Sequence, residues 1–133
     1  MKPHFFVLKR GKEIISSIAE FCERQKIKSA YFSAIGAASD VELAFYDMKK
    51  KKYLMKNFKD DLEITNMTGN VAILNNKLAV HAHAAFSGRD CKAVGGHVKK
   101  AIVSGTCEVL LLLLKGKLGR KFDDETGLNL IKD

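Results

Sequence analysis

Three of the four histidines in the 133-residue sequence fall within one short stretch: His81 and His83 in Val80-His81-Ala82-His83-Ala84, and His97 in Gly95-Gly96-His97-Val98. Residues two apart on a strand point to one face with Cα atoms ~6.5–7 Å apart, near enough for two imidazoles to reach a shared ion at ~2.0–2.1 Å. An H-x-H pair arises by chance often enough to mean little alone. A third histidine at the start of the following strand, flanked by two glycines, makes it the pattern of a metal site. In a bulge-free register with His97 near Ala85, the odd positions 81, 83, 97 and 99 share a face, and a bulge at Gly95-Gly96 supplies any remaining adjustment. His4 has no such company.

Three neutral nitrogens with no evident cysteine or carboxylate at a fourth position describe an open His₃ site, for which zinc is the first expectation. The open position suits either an acidified water or a bound carboxylate or carbonyl. Catalysis would also need a proton carrier and a charge stabiliser. Glu63 and Arg120, isolated charges beside apolar segments, are the candidate pocket residues for those roles, in a metal-dependent lyase or hydrolase acting on a small carboxylate-bearing substrate.

The elements that must hold these residues are mostly strands. Ile14, Ile15, Ile18, Ala19 and Cys22 recur at the spacing of one helical face, with Glu13, Ser16, Glu20, Glu23 and Arg24 on the other side, which predicts one helix ending near Lys26. The rest reads as short β segments: Phe5–Lys9, Ala30–Ile35, Val41–Tyr46, Tyr53–Phe58, Glu63–Gly69, Val71–Leu74, Leu78–Phe86, Val98–Val103 and Cys107–Leu114. Asn75-Asn76 tolerates positive φ in a tight hairpin, and Lys49–Lys52 reads as a solvated hairpin tip. Gly36 and Gly105 interrupt strand patterns where a sharp bend is expected, so the sheet should curl strongly. The expected architecture is α+β: a strongly curved antiparallel sheet of about seven strands with one main helix, in a single domain over residues 1–133. Leu110 to Leu114 is apolar without alternation, which calls for cover on both faces and points to a second protomer.

Composition narrows the class. Apolar residues make up 47% and charged residues 29%, which excludes a disordered tail protein. No apolar run approaches the ~20 residues of a membrane span, and no secretory leader is read at the N-terminus. Three cysteines, an odd number with no C-x-x-C pair, imply a reduced, cytoplasmic chain with Cys22 and Cys107 in the core and Cys91 in a loop. The net charge of +8 comes from 23 basic and 15 acidic residues, mostly lysine. Lysine favours salt-sensitive, non-specific attraction to DNA over base reading, which prefers arginine.

Taken in order, Ser33-Ala34-Ile35-Gly36-Ala37, Glu63-Ile64, Thr68-Gly69-Asn70, His81-Ala82-His83-Ala84, Gly95-Gly96-His97 and Glu108-Val109, then Arg120, Asp123 and Thr126-Gly127-Leu128, resemble the plants-and-prokaryotes conserved (PPC) domain family, nearly end to end. The resemblance implies a curved antiparallel sheet with one helix, a homotrimer, and zinc on His81, His83 and His97. It also implies a DNA-binding or regulatory module. The Arg-Gly-Arg-Pro AT-hook that accompanies the domain in its plant relatives does not occur in this sequence. The chelating pattern is similar to that of acetolactate decarboxylase, a zinc lyase, though the spacing to the third histidine differs.

Overall fold

The fold begins with β1 (Pro3–Lys9) and α1 (Ile14–Arg24), followed by β2 (Ala30–Asp47), β3 (Lys52–Phe58), β4 (Leu62–Leu74), β5 (Lys77–Ser87), β6 (Ala93–Leu113), β7 (Arg120–Asp123) and β8 (Leu128–Ile131). The structure, a computed structural model, describes residues 2–132. Eleven residues are too few for a stable isolated helix. The helix is held by packing: Ile14, Ile18 and Cys22 are fully buried on one stripe, each isoleucine worth roughly 1.5–3 kcal/mol relative to exposure. Glu13, expected on the polar face, is instead the N-cap. Its carboxylate accepts from the backbone N–H of Ser16 at 2.8 Å and Ile15 at 3.0 Å, and from Ala101 N–H on β6 at 3.1 Å.

All named strand pairs are antiparallel. Six strands lie in the order β1-β6-β5-β4-β2-β3, and an added β6–β2 pairing closes four of them into a ring; β7 and β8 form a separate two-stranded sheet. The ring is possible because β2 and β6 are long and sharply bent. Segments that read as separate in the sequence are continuous strands, with the interruptions serving as bends. Gly36 shows how: it sits at a register shift in both of its ladders, with φ +154°, and a β-carbon there would overlap the Thr106 carbonyl oxygen of β6. Only a residue without a side chain lets the two strands cross this closely.

Inside the ring lie Phe32, Met67, Val71, Ala82, Phe86, Val109 and Leu111, all 0–1% exposed, with α1 packed against β5 and β6. The leucine-rich run thus alternates after all. Val109 and Leu111 point inward, while Leu110 is 38% exposed on the outer face. Asn75 and Asn76 take φ +50° and +63° in the tight β4–β5 hairpin, as expected. Cys22 and Cys107 are buried and Cys91 is exposed. Among the described residues, no helix is long and apolar enough to cross a membrane.

Candidate metal centre

His81 and His83 occupy outward positions on β5, opposite Asn70 and Thr68 of β4. The pleat sends both rings to the same side, because the intervening Ala82 is buried at 1% exposure. His97 enters from β6. It stands directly opposite His83, two places from the Ala85 partner expected, and the β5–β6 ladder runs from Ala93 to His97 without a bulge. The two glycines before it serve a different purpose from the one expected of them. A β-carbon at Gly95 would come within 2.9 Å of the Ala84 carbonyl oxygen, and one at Gly96 within 3.0 Å of the Ala44 carbonyl oxygen. They let β6 fit closely between β5 and β2 just where His97 must be placed.

One ring nitrogen from each of the three histidines lies within 4.8 Å of the others. His81 Nε2 and His83 Nε2 are 3.2 Å apart, close to the ~3.3 Å edge of a tetrahedron built on ~2.0–2.1 Å metal–nitrogen bonds. Burial, then the nearby Arg120 guanidinium, pushes His81 down to about 4; burial and then His81 itself push His97 down to about 4. Both rings are therefore neutral at pH 7, the form a metal needs. Donor type, convergence and protonation all fit a borderline divalent cation such as zinc.

Arg120, on β7, reaches the cluster. Its Nη2 lies 2.8 Å from Asn70 Oδ1 and 3.3 Å from His81 Nδ1, and its Nη1 donates to the Asn129 carbonyl at 2.9 Å. A guanidinium only donates, so His81 Nδ1 is the acceptor here and the ring proton lies on Nε2. Ligation through Nε2 reverses this: the proton must then sit on Nδ1, and Arg120 keeps its two asparagine partners but not His81. Glu63 is elsewhere. It pairs with Ser87 and Ala37 and lines a different cleft with Asp60, Asp61 and Asp90. Along β4 it is five residues from Thr68, the neighbour of His83, or roughly 16 Å at ~3.3 Å per residue.

The histidine cleft has a volume of about 660 Å³ and brings in residues the sequence did not single out. The Tyr53 ring stacks on His97 with centroids 4.9 Å apart, and Lys99 Nζ stands 4.1 Å from the Tyr53 centroid. Lys51 and Lys52, expected merely to be solvated, line the same cleft, and Lys51 Nζ donates to the Asp124 carbonyl at 2.8 Å. Lys99 could have been found by strand parity, being two places after His97. Tyr53 and the β8 residues could not, since nothing local in sequence says that β3 and the last hairpin meet at this point.

Residues 1–115 match the Plants and Prokaryotes Conserved (PCC, or PPC) domain. The chain belongs to this family. A metal-containing protein of Archaeoglobus fulgidus is 37% identical, covers 100% of this chain and 94% of its own, and superposes with a TM-score of 0.94. A PPC protein of Pyrococcus horikoshii is 28% identical over 100% of this chain and 92% of its own, with a TM-score of 0.95. A Bacteroides thetaiotaomicron structure described as a candidate DNA-binding protein is 28% identical over 98% and 91%, with a TM-score of 0.94. Acetolactate decarboxylase of Bacillus subtilis shares the fold alone, at 14% identity and a TM-score of 0.60 over 84% of this chain and 52% of its own. No curated protein matches the chain. The PPC match ends at residue 115, so Arg120 and the β7–β8 hairpin lie beyond it.

Proposed function

We propose that this PPC-family chain is a homotrimeric, metal-binding module of the cytoplasm, one domain over residues 1–133, with a divalent ion, zinc first, held by His81, His83 and His97. The observation that carries this reading is the convergence of three ring nitrogens within 4.8 Å. The archaeal relative described as metal-containing supports it. When bound, such an ion would supply Lewis acidity and an exchangeable coordination position.

Self-association is supported by the outer face of β1, β6 and β2. There Phe5 pairs with Leu110, Tyr31 with Leu112, and Val7 and Ile35 flank Glu108, giving adjacent apolar side chains with Phe5 68%, Val7 52% and Ile35 54% exposed. Contiguous apolar surface of this kind marks a contact with another protein. DNA is the proposed polyanionic partner, held non-specifically by lysines, in line with the net charge of +8 and the description of the Bacteroides relative.

The enzyme reading ranks second. Among the described residues the histidine cleft is lined by no carboxylate, and Glu63, the proposed proton carrier, sits in another cleft. The deciding experiment is metal analysis of the purified chain beside its His81→Ala/His83→Ala variant. About one ion per chain, lost in the variant, is the expected result; stoichiometric metal that survives the double change removes the reading. For DNA, binding to unrelated duplexes should weaken linearly in log[salt], and no binding at low salt would exclude that partner.

A further inference from the structure

The lining of the histidine cleft contains Lys51, Lys52, Lys99 and Arg120 and, among the described residues, no aspartate or glutamate. The nearby Asp123 carboxylate is turned away into its own hairpin, accepting from Thr126 N–H at 2.9 Å and Thr126 Oγ1 at 2.7 Å. Imidazole ligands add no negative charge, so a divalent ion among them leaves the cleft strongly positive. A charge of this size in a partly enclosed site requires a counter-ion. Arg120 adds to the demand. Its Nε is buried with no hydrogen-bond partner among the described residues, and Nη2 gives up His81 once that ring ligates through Nε2. One Nη2 N–H then loses its acceptor, a loss that a ligand oxygen in the cleft would make good, whereas the fully buried Nε is out of such a ligand's reach.

The cleft also has an apolar wall. Phe45, Leu74, Leu128 and Leu130 share the cleft with these cations. Phe45 is 69% exposed and Leu130 40%, so the wall is open to a ligand. A bare inorganic anion would leave that wall unused, whereas a molecule with a charged head and a short hydrocarbon body would fill both halves.

We propose that the cleft binds a small aliphatic carboxylic acid as its anion together with the metal, the carboxylate meeting the ion, Arg120 and Lys99, and the hydrocarbon part lying against Leu74, Leu128 and Leu130. This rests on the metal reading of the three histidines. It goes further in making acid and metal mutually dependent ligands: each raises the affinity for the other by the same factor, typically ~5–150-fold for coupled sites.

The test is a titration of the full chain with divalent cobalt, followed by absorption and calorimetry in a non-coordinating buffer, alone and with acetate, hexanoate or sulfate. Cobalt affinity should rise roughly tenfold or more with hexanoate. At equal, sub-saturating concentration it should rise less with acetate, which leaves the apolar wall uncovered and so binds less tightly. Cobalt that binds equally well with and without the acids overturns the inference and leaves the metal reading intact. Sulfate acting as strongly as hexanoate overturns the assignment to an organic acid. No cobalt binding under any condition overturns both. Lys99→Met gives a second check, since Lys99 is exposed and its loss leaves the core untouched. Removing this cation should tighten cobalt binding without acid and flatten the dependence on hexanoate; an unchanged dependence would remove Lys99 from the carboxylate site.

Discussion

His97 stands opposite His83 in the β5–β6 ladder and opposite Ala44 in the β6–β2 ladder. It therefore sits where β6 leaves one partner strand and joins another. The third imidazole is fixed from both sides by backbone hydrogen bonding, and its approach to the other two does not depend on a flexible loop. Such placement favours a ligand set already in position before any ion arrives.

Metal should therefore stabilise the chain with little change in fold. At a free zinc concentration about 100-fold above the dissociation constant, the unfolding free energy should rise by about 2.7 kcal/mol. Urea unfolding with and without zinc measures this, and His97→Ala should abolish the gain. A zinc effect that persists in His97→Ala would place the ion elsewhere.

The pH dependence has a definite sign. His81 and His97 are held at about 4 in the folded chain against 6.5 ordinarily, so the unfolded chain takes up protons first as the pH falls. Stability of the metal-free protein is then complete above pH ~6.5 and lost progressively as the pH drops toward ~4, on the order of 1 kcal/mol for each ring after solvent screening. Asp40 and Asp123 are pulled below 3.8 by their hydrogen bonds, to Lys59 and Lys100 and to Thr126, so they act below this window. Thermal unfolding across pH 4–7 should show the decline, and His81→Ala should flatten it. An identical slope in that variant would assign the decline to other groups.

Glu13 joins two elements through one carboxylate, capping α1 and accepting from Ala101 on β6. Glu13→Ala should cost about 1–3 kcal/mol, since it removes a cap and leaves a partly buried β6 N–H without a partner. The expected sign is a lower urea midpoint at unchanged slope. Glu13→Gln should recover part of the loss, because its amide oxygen still accepts.

The apolar outer face yields an association prediction. Leu110→Glu and Phe5→Glu place charge on side chains that point away from the core, so each variant should keep the circular dichroism of the parent while sedimenting as a monomer. A parent that already sediments as a monomer would exclude the trimer.

Much of the site could be read from the sequence because it rests on short-range rules. His81 and His83 share a face by strand parity, and His97 follows at the start of the next strand. The single helix, the asparagine hairpin and the two buried cysteines follow equally local signals. What escaped depends on contacts between distant segments. Gly36 and Gly105 gave warning of bends, but the merging of Ala30–Ile35 with Val41–Tyr46 into β2 depends on β6 crossing at Gly36. Strands β7 and β8 are four residues each, too short for any periodicity to announce them. Glu63 and Arg120 looked alike as isolated charges, and only the ladder registers send them to different clefts.

The final hairpin is fastened from its own side. Leu118 N–H donates to the buried Ser29 Oγ at 2.7 Å, Ile73 N–H to the Leu118 carbonyl at 2.9 Å, and the Tyr46 hydroxyl to the Thr126 carbonyl. These attachments lie outside the imidazole cluster, which the hairpin meets through Arg120, 3.3 Å from His81 Nδ1. The three imidazoles and the β8 leucines that line the same cleft are thus carried by different pieces of one chain, joined at Arg120. Replacing Leu128 or Leu130 would change the apolar lining of the cleft while leaving the three histidines and Arg120 in place.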